Sequence, residues 1–209
     1  FSKRASGQPP SKLGIKQGHS ISLREAMLAL VTKSANDVAT AVAEKIAGTE
    51  INFAKKMTKK AKSLGMNNTR FMNASGLYNK YQKSTALDMA KLGIAIKRDF
   101  PLKYKIFNTK SFNWNGRKYK NHNNLLKSYS GTDGIKTGYI GASGFNLMAS
   151  VERNGIRLIG VVFGGKSSKR RDLHLMGLFT NAFKRASPPK LILVSKPLSK
   201  PNFISVRAP

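Results

Sequence analysis

The chain has 209 residues and sets 38 Lys and Arg against 9 Asp and Glu, a formal net charge of +29. With 40% hydrophobic residues and only 8 prolines it can bury a core in one domain, which excludes disorder throughout. The absence of cysteine excludes disulfides, thiolate zinc sites and a cysteine nucleophile.

No apolar run reaches the roughly 18 residues that cross a bilayer. The opening Phe1-Ser2-Lys3-Arg4 lacks the apolar stretch of a signal peptide, so any export signal is not in this chain. A charge of +29 suits nucleic acid, an anionic membrane face or an acidic cell-wall polymer. The cations are spread through amphipathic segments, however, and no zinc-finger or RNA-recognition motif occurs, so no nucleic-acid partner is expected.

Residues 1–21, with Gly7-Gln8-Pro9-Pro10 and Gly14, read as loop and short extended pieces. Ser22-Leu23-Arg24-Glu25 is a capping box, and Ala26, Met27, Leu30 and Val31 form an apolar helical stripe after it. A break is predicted near Thr32-Lys33-Ser34, then a helix from about Asn36 to Ala47 that stops at Gly48. Thr49 can cap a helix from Glu50 to Leu64, closed by Gly65. The Asn- and Gly-rich residues 66–83 read as loop with short strands, and Thr85 to Asp99 as helix ending before Pro101.

Asn115-Gly116 predicts a hairpin over 111–120. Gly134 to Gly138 reads as a short strand, and Phe145–Arg153 and Ile156–Phe163 as a hairpin about Asn154-Gly155. Ser168 to Arg185 has the spacing of a basic amphipathic helix, and 187–209 reads as a proline-rich basic tail. Helices, antiparallel strands and a closing helix give an α+β class.

One motif misleads. Gly160 to Ser167 matches the phosphate-loop pattern, but Val161, Val162 and Phe163 complete an apolar strand where that chemistry needs a loop of free amides. Too little chain follows for the parallel sheet such enzymes use. His19, His122 and His174 have no helical pairing and no Gly-x-Ser-x-Gly partner, so they read as solvated or structural, with no metal site.

Two triplets carry chemistry together. Ser34-Ala35-Asn36 lies at a break between apolar helices, where a hydroxyl and an amide can face a cleft. Lys136-Thr137-Gly138 lies on a strand leading into Tyr139, where a cation, a hydroxyl and a backbone edge suit an extended peptide ending in a carboxylate. A capped helix and a solvated lysine would give the same letters.

The wider sequence resembles the penicillin-binding serine D-alanyl-D-alanine carboxypeptidases, the low-molecular-weight members of the DD-peptidase/β-lactamase superfamily. The stretches that carry it are Gln8–Gly14, Ala29–Asp37, Asn73–Leu77, Asn121–Leu126, Asp133–Tyr139 and Ser143–Leu147, in order across about residues 5–186. The resemblance implies a serine of Ser-x-x-Lys that attacks the D-Ala-D-Ala amide, with its lysine as general base. It implies that Ser34 relays protons and that Asn36 holds the substrate backbone. Lys136, Thr137 and Gly138 would bind the terminal carboxylate, with Lys136 also in the proton network. The amide of Tyr139 would supply part of an oxyanion hole.

The family places Ser-x-x-Lys a few tens of residues before the point where this chain begins. Here the pattern occurs only as Ser187-Pro188-Pro189-Lys190, between prolines and after Lys136. The expectation is a truncated catalytic domain over 1–186, lacking its first strands and nucleophile helix, and inactive alone. Loss of that segment is expected to expose several hundred Å² of apolar surface, worth about 25 cal/mol per Å². Implied partners are peptidoglycan stem peptides ending in D-Ala-D-Ala, β-lactams and an anionic membrane or wall surface. No cofactor is implied, and the compartment is the periplasm or outer face of the inner membrane. The alternative is a non-catalytic peptidoglycan-binding remnant. A class A β-lactamase is excluded because residues 66–76 hold no Glu for its deacylation step.

Overall fold

Hydroxyl caps and Asn-Gly turns set most of the element boundaries in the computed structural model, which describes residues 1–186. The order is α1 (Lys3–Ser6), α2 (Leu23–Thr32), α3 (Asn36–Ala47), α4 (Glu50–Ser63) and α5 (Ala86–Asp99), then a 3-10 turn at Lys103–Asn108. There follow β1 (Ser111–Trp114), β2 (Arg117–Lys120), α6 (Leu125–Ser128), β3 (Thr132–Ile140), β4 (Gly144–Arg153), β5 (Ile156–Gly165) and α7 (Ser168–Arg185). Ser2, Ser22, Thr49, Thr85 and Ser167 each accept a backbone N–H three residues on, opening α1, α2, α4, α5 and α7.

Both hairpins turn on Asn-Gly with φ positive at both residues, +46° and +71° at 115–116, +50° and +75° at 154–155. That turn matches the strand twist and fixes the register, pairing Trp114 with Arg117 and Arg153 with Ile156.

The three-stranded antiparallel sheet has order β3-β4-β5, with β3 at one edge. Alternation along β4 sends Leu147, Ala149 and Val151 to Leu175 and Phe179 of α7. Met148 faces the other way, with Ile135, Ile159 and Val161, toward Tyr104 and the apolar side of α5. A second core joins Ala26, Ala29, Ala35 and Val38 to Phe112, with Trp114 and Tyr119 packed on it. The α+β class is thus observed, with helices on both faces of the sheet.

Three readings need correction. Residues 1–21 contain the single turn α1, made by the Ser2 cap, rather than loop alone. The 3-10 turn and α6 went unread because four to six residues are too short to show a helical period. The strand expected at 134–138 runs over Thr132–Ile140, and within 66–83 only the Arg70–Lys83 bridge forms. The phosphate-loop match fails as expected, because β5 runs through Val161–Phe163 to Gly165 and Ser167 caps α7. The 187–209 segment and its Ser187-Pro188-Pro189-Lys190 lie outside the described residues. No helix among the described residues is long and apolar enough to cross a membrane.

Candidate active site

Ser34 sits where α2 ends and α3 has not begun, with φ +58°. A serine in this left-handed region costs on the order of 1 kcal/mol or more, so its surroundings must hold it there. They do so through the 9–15 loop. Asn36 donates its backbone N–H to Ser11 O at 2.7 Å and its Nδ2 to Pro9 O at 3.0 Å, while Ser11 Oγ donates to Lys33 O at 2.8 Å. Asp37, fully buried, accepts the N–H groups of Leu13, Gly14 and Ile15. The Asn36 side chain is therefore buried and already engaged on its amide side, while its Oδ1 has no partner among the described residues.

The second triplet lies on the edge strand β3. Lys136 is half buried, and its Nζ donates to Thr137 O at 2.8 Å. Burial, with repulsion from the Arg171 guanidinium second, pushes its ammonium down to about 8. Arg171 is itself held by Asp172 Oδ1 and by the Asn146 carbonyl at 3.1 Å. Thr137 pairs with Leu147 and Gly138 with Asn146, leaving Gly138 and Tyr139 exposed at the strand end. Tyr139 packs against Phe145 at a 39° tilt, with ring centroids 4.5 Å apart.

No hydrogen bond joins Ser34 or Asn36 to Lys136 among the described residues. What the two motifs share is His122. Its imidazole is held below the usual histidine value by burial first, then by Lys136 and by Lys33, the residue before Ser34. One lysine of the β3 motif and one lysine next to Ser34 thus both act on this ring. The neighbouring Asn123 is buried and donates Nδ2 to Gly134 O at 3.0 Å, which ties this loop to β3. At neutral pH the ring is uncharged, so the positive charge beside it comes from Lys33 and Lys136, which suits a carboxylate. Among the described residues no three His, Asp or Glu side chains gather as a metal site.

Sequence reasoning missed His122, Asp37, Asn123 and Arg171. His122 offered no signal, because three unpaired histidines look alike in sequence. Asp37 could have been noticed, since an acid beside Asn36 in a buried first helical turn needs partners.

The profile of the D-alanyl-D-alanine carboxypeptidases matches residues 2–167, taking in both the Ser34 turn and β3. The chain belongs to the D-alanyl-D-alanine carboxypeptidase family. It is similar to the D-alanyl-D-alanine carboxypeptidase DacF of Bacillus subtilis, 34% identical over 192 residues, covering 88% of this chain and 48% of that protein. Among solved structures, the carboxypeptidase DacD of Francisella tularensis superposes with a TM-score of 0.85 at 30% identity, over 87% of this chain and 57% of that one. Penicillin-binding protein D2 of Listeria monocytogenes, in its cefotaxime-bound form, gives 0.75 at 30% identity, over 84% and 73%. The chain spans about half the length of the curated carboxypeptidases it matches.

Proposed function

We propose that this chain holds the D-Ala-D-Ala end of a peptidoglycan stem peptide, as the substrate-binding part of a serine-type D-alanyl-D-alanine carboxypeptidase. The observation that carries this reading is the edge strand β3, paired only with β4, which brings Lys136 and Thr137 together with the exposed Gly138 and Tyr139. An extended peptide adds to the β3 edge by backbone hydrogen bonds, and its terminal carboxylate meets Lys136 and the Thr137 hydroxyl. With an ammonium near 8, Lys136 is about nine-tenths protonated at pH 7, charged enough to bind an anion yet able to release a proton.

In this reading Ser34 passes protons between the nucleophile and the leaving amine, and Asn36 Oδ1 accepts from the substrate backbone. The Tyr139 N–H stabilises the oxyanion of the tetrahedral intermediate, the step at which such donors contribute most. The Ser-x-x-Lys pattern of the nucleophile does not occur among residues 1–186, where no Ser has a Lys three residues on. The site works outside the cytoplasm, in the periplasm or at the outer face of the inner membrane, and β-lactams enter it as substrate mimics.

The test is calorimetric binding of a stem pentapeptide ending in D-Ala-D-Ala, with intact mass after incubation with penicillin. Saturable binding that Lys136→Ala removes supports the reading. Equal affinity for the C-terminally amidated peptide overturns it, since carboxylate recognition would be absent. Binding without turnover or adduct favours a non-catalytic peptidoglycan-binding role. A one-to-one penicillin adduct instead locates a working nucleophile within the chain.

A further inference from the structure

A groove of about 670 Å³ lies against α4 and the 70–79 loop, and none of the residues assigned to the carboxypeptidase site lines it. Its lining carries Arg4, Lys55, Lys59, Lys62 and Arg70 and no acidic side chain. Arg4 is neutralised from beneath by the buried Glu50. The other four cations have no ion-pair partner among the described residues, and Arg70 rests over the Tyr81 ring at 5.9 Å.

Overall basicity does not by itself produce this arrangement. Eight of the nine carboxylates are held by hydrogen bonds or ion pairs, Glu44 being the exception among the described residues. Yet α4 places Lys55, Lys59 and Lys62 four and three residues apart, so that like charges share one helix face and repel. Those three span about 10 Å along the axis. Ile51, Phe71 and Met72 add apolar surface to the same lining.

We propose that this groove binds a polymer carrying a row of phosphate charges. A single anion cannot answer lysines spread along two turns, whereas a chain with regularly spaced charges can. Lysine is a compact, strongly hydrated point charge that binds phosphate without the fixed bidentate geometry an arginine fork brings to phosphate and carboxylate alike. Concavity favours a strand lying in the groove over a flat bilayer. The site is independent of the peptide-binding reading above.

Binding of a short linear polyphosphate to the full chain, followed by calorimetry over a range of salt, tests this. Changing Lys55, Lys59 and Lys62 to Gln together should weaken binding about tenfold or more and reduce the salt slope by about 2. A control triple at the exposed Lys103, Lys105 and Lys127 should change affinity little. An equal loss in the control overturns the proposal, because net charge alone would then explain binding. Poly-glutamate binding as tightly as polyphosphate overturns the phosphate assignment. Displacement by orthophosphate at equal phosphate concentration overturns the requirement for a polymer. Retention of affinity in a Lys→Arg triple, with the Gln triple still folded by circular dichroism, completes the supporting result.

Discussion

Gly14 donates its backbone N–H to the buried carboxylate of Asp37 at 2.9 Å, and this contact ties the N-terminal loop to the turn that carries Ser34. Leu13 and Ile15 add N–H donors at 3.1 and 3.3 Å, so one side chain organises three successive amides. Asp37→Asn keeps the shape but replaces one oxygen with a donor facing other donors. We expect a loss of about 3 kcal/mol in urea unfolding, since charge-assisted bonds are lost and buried amides left unpaired. Stem-peptide affinity should fall with it, because Asn36 and Ser34 lose their support. A loss below about 1 kcal/mol would show that the carboxylate does not hold the turn.

Lys136 makes a second, opposite prediction. Its folded value near 8 lies below the unfolded 10.5, so the folded state binds fewer protons between those limits. Stability therefore rises as pH increases from about 8 toward 10.5, and below 8 the buried charge burdens the fold. Lys136→Met should stabilise the chain by roughly 2 kcal/mol at pH 7, a gain that shrinks above pH 8, while abolishing stem-peptide binding. Unfolding curves at pH 7 and pH 10 check the sign. A destabilised variant at pH 7 would mean that the Thr137 contact outweighs the cost of burial.

His122 should report both lysines. Removing the charge of Lys136 or of Lys33 relieves repulsion, so its imidazole value should rise in Lys136→Met and in Lys33→Met. Proton NMR titration of the ring reads this directly. As pH falls through the His122 transition the site gains a cation, and affinity for a peptide carboxylate should tighten. His122→Gln should flatten that dependence while leaving affinity at pH 8 nearly unchanged. An unmoved imidazole in both lysine variants would separate the two motifs.

Legibility in the sequence followed the range of the interactions involved. The Ser22 capping box, the Thr49 and Thr85 caps and the two Asn-Gly turns act within four residues, so the helices and hairpins they bound could be read from local letters. Ser34 and Lys136 were legible as motifs. The convergence on His122 was not, because it depends on Asn123 bonding to Gly134 across eleven residues and on α2 packing beside β1. Asp37 reaches back over more than twenty residues to its amides, a distance at which sequence alone carries no pairing signal.

The seat of α7 on the sheet gives a last test. Gly160 of β5 lies opposite Ala149, and a Cβ there would stand 2.6 Å from Leu175 Cδ1 and 2.9 Å from Phe179 Cζ. Both side chains are buried and belong to the core that backs β4, so neither has open space to enter. Gly160→Ala should overpack this face and cost about 1–3 kcal/mol despite the better strand propensity of alanine. Because α7 also carries Arg171, its displacement should relax the repulsion on Lys136 and let that ammonium titrate higher. Paired Leu175→Ala, which opens room beside the new methyl, should recover part of the loss relative to the sum of the two single changes. Strict additivity in that cycle would show that the methyl and Leu175 do not meet.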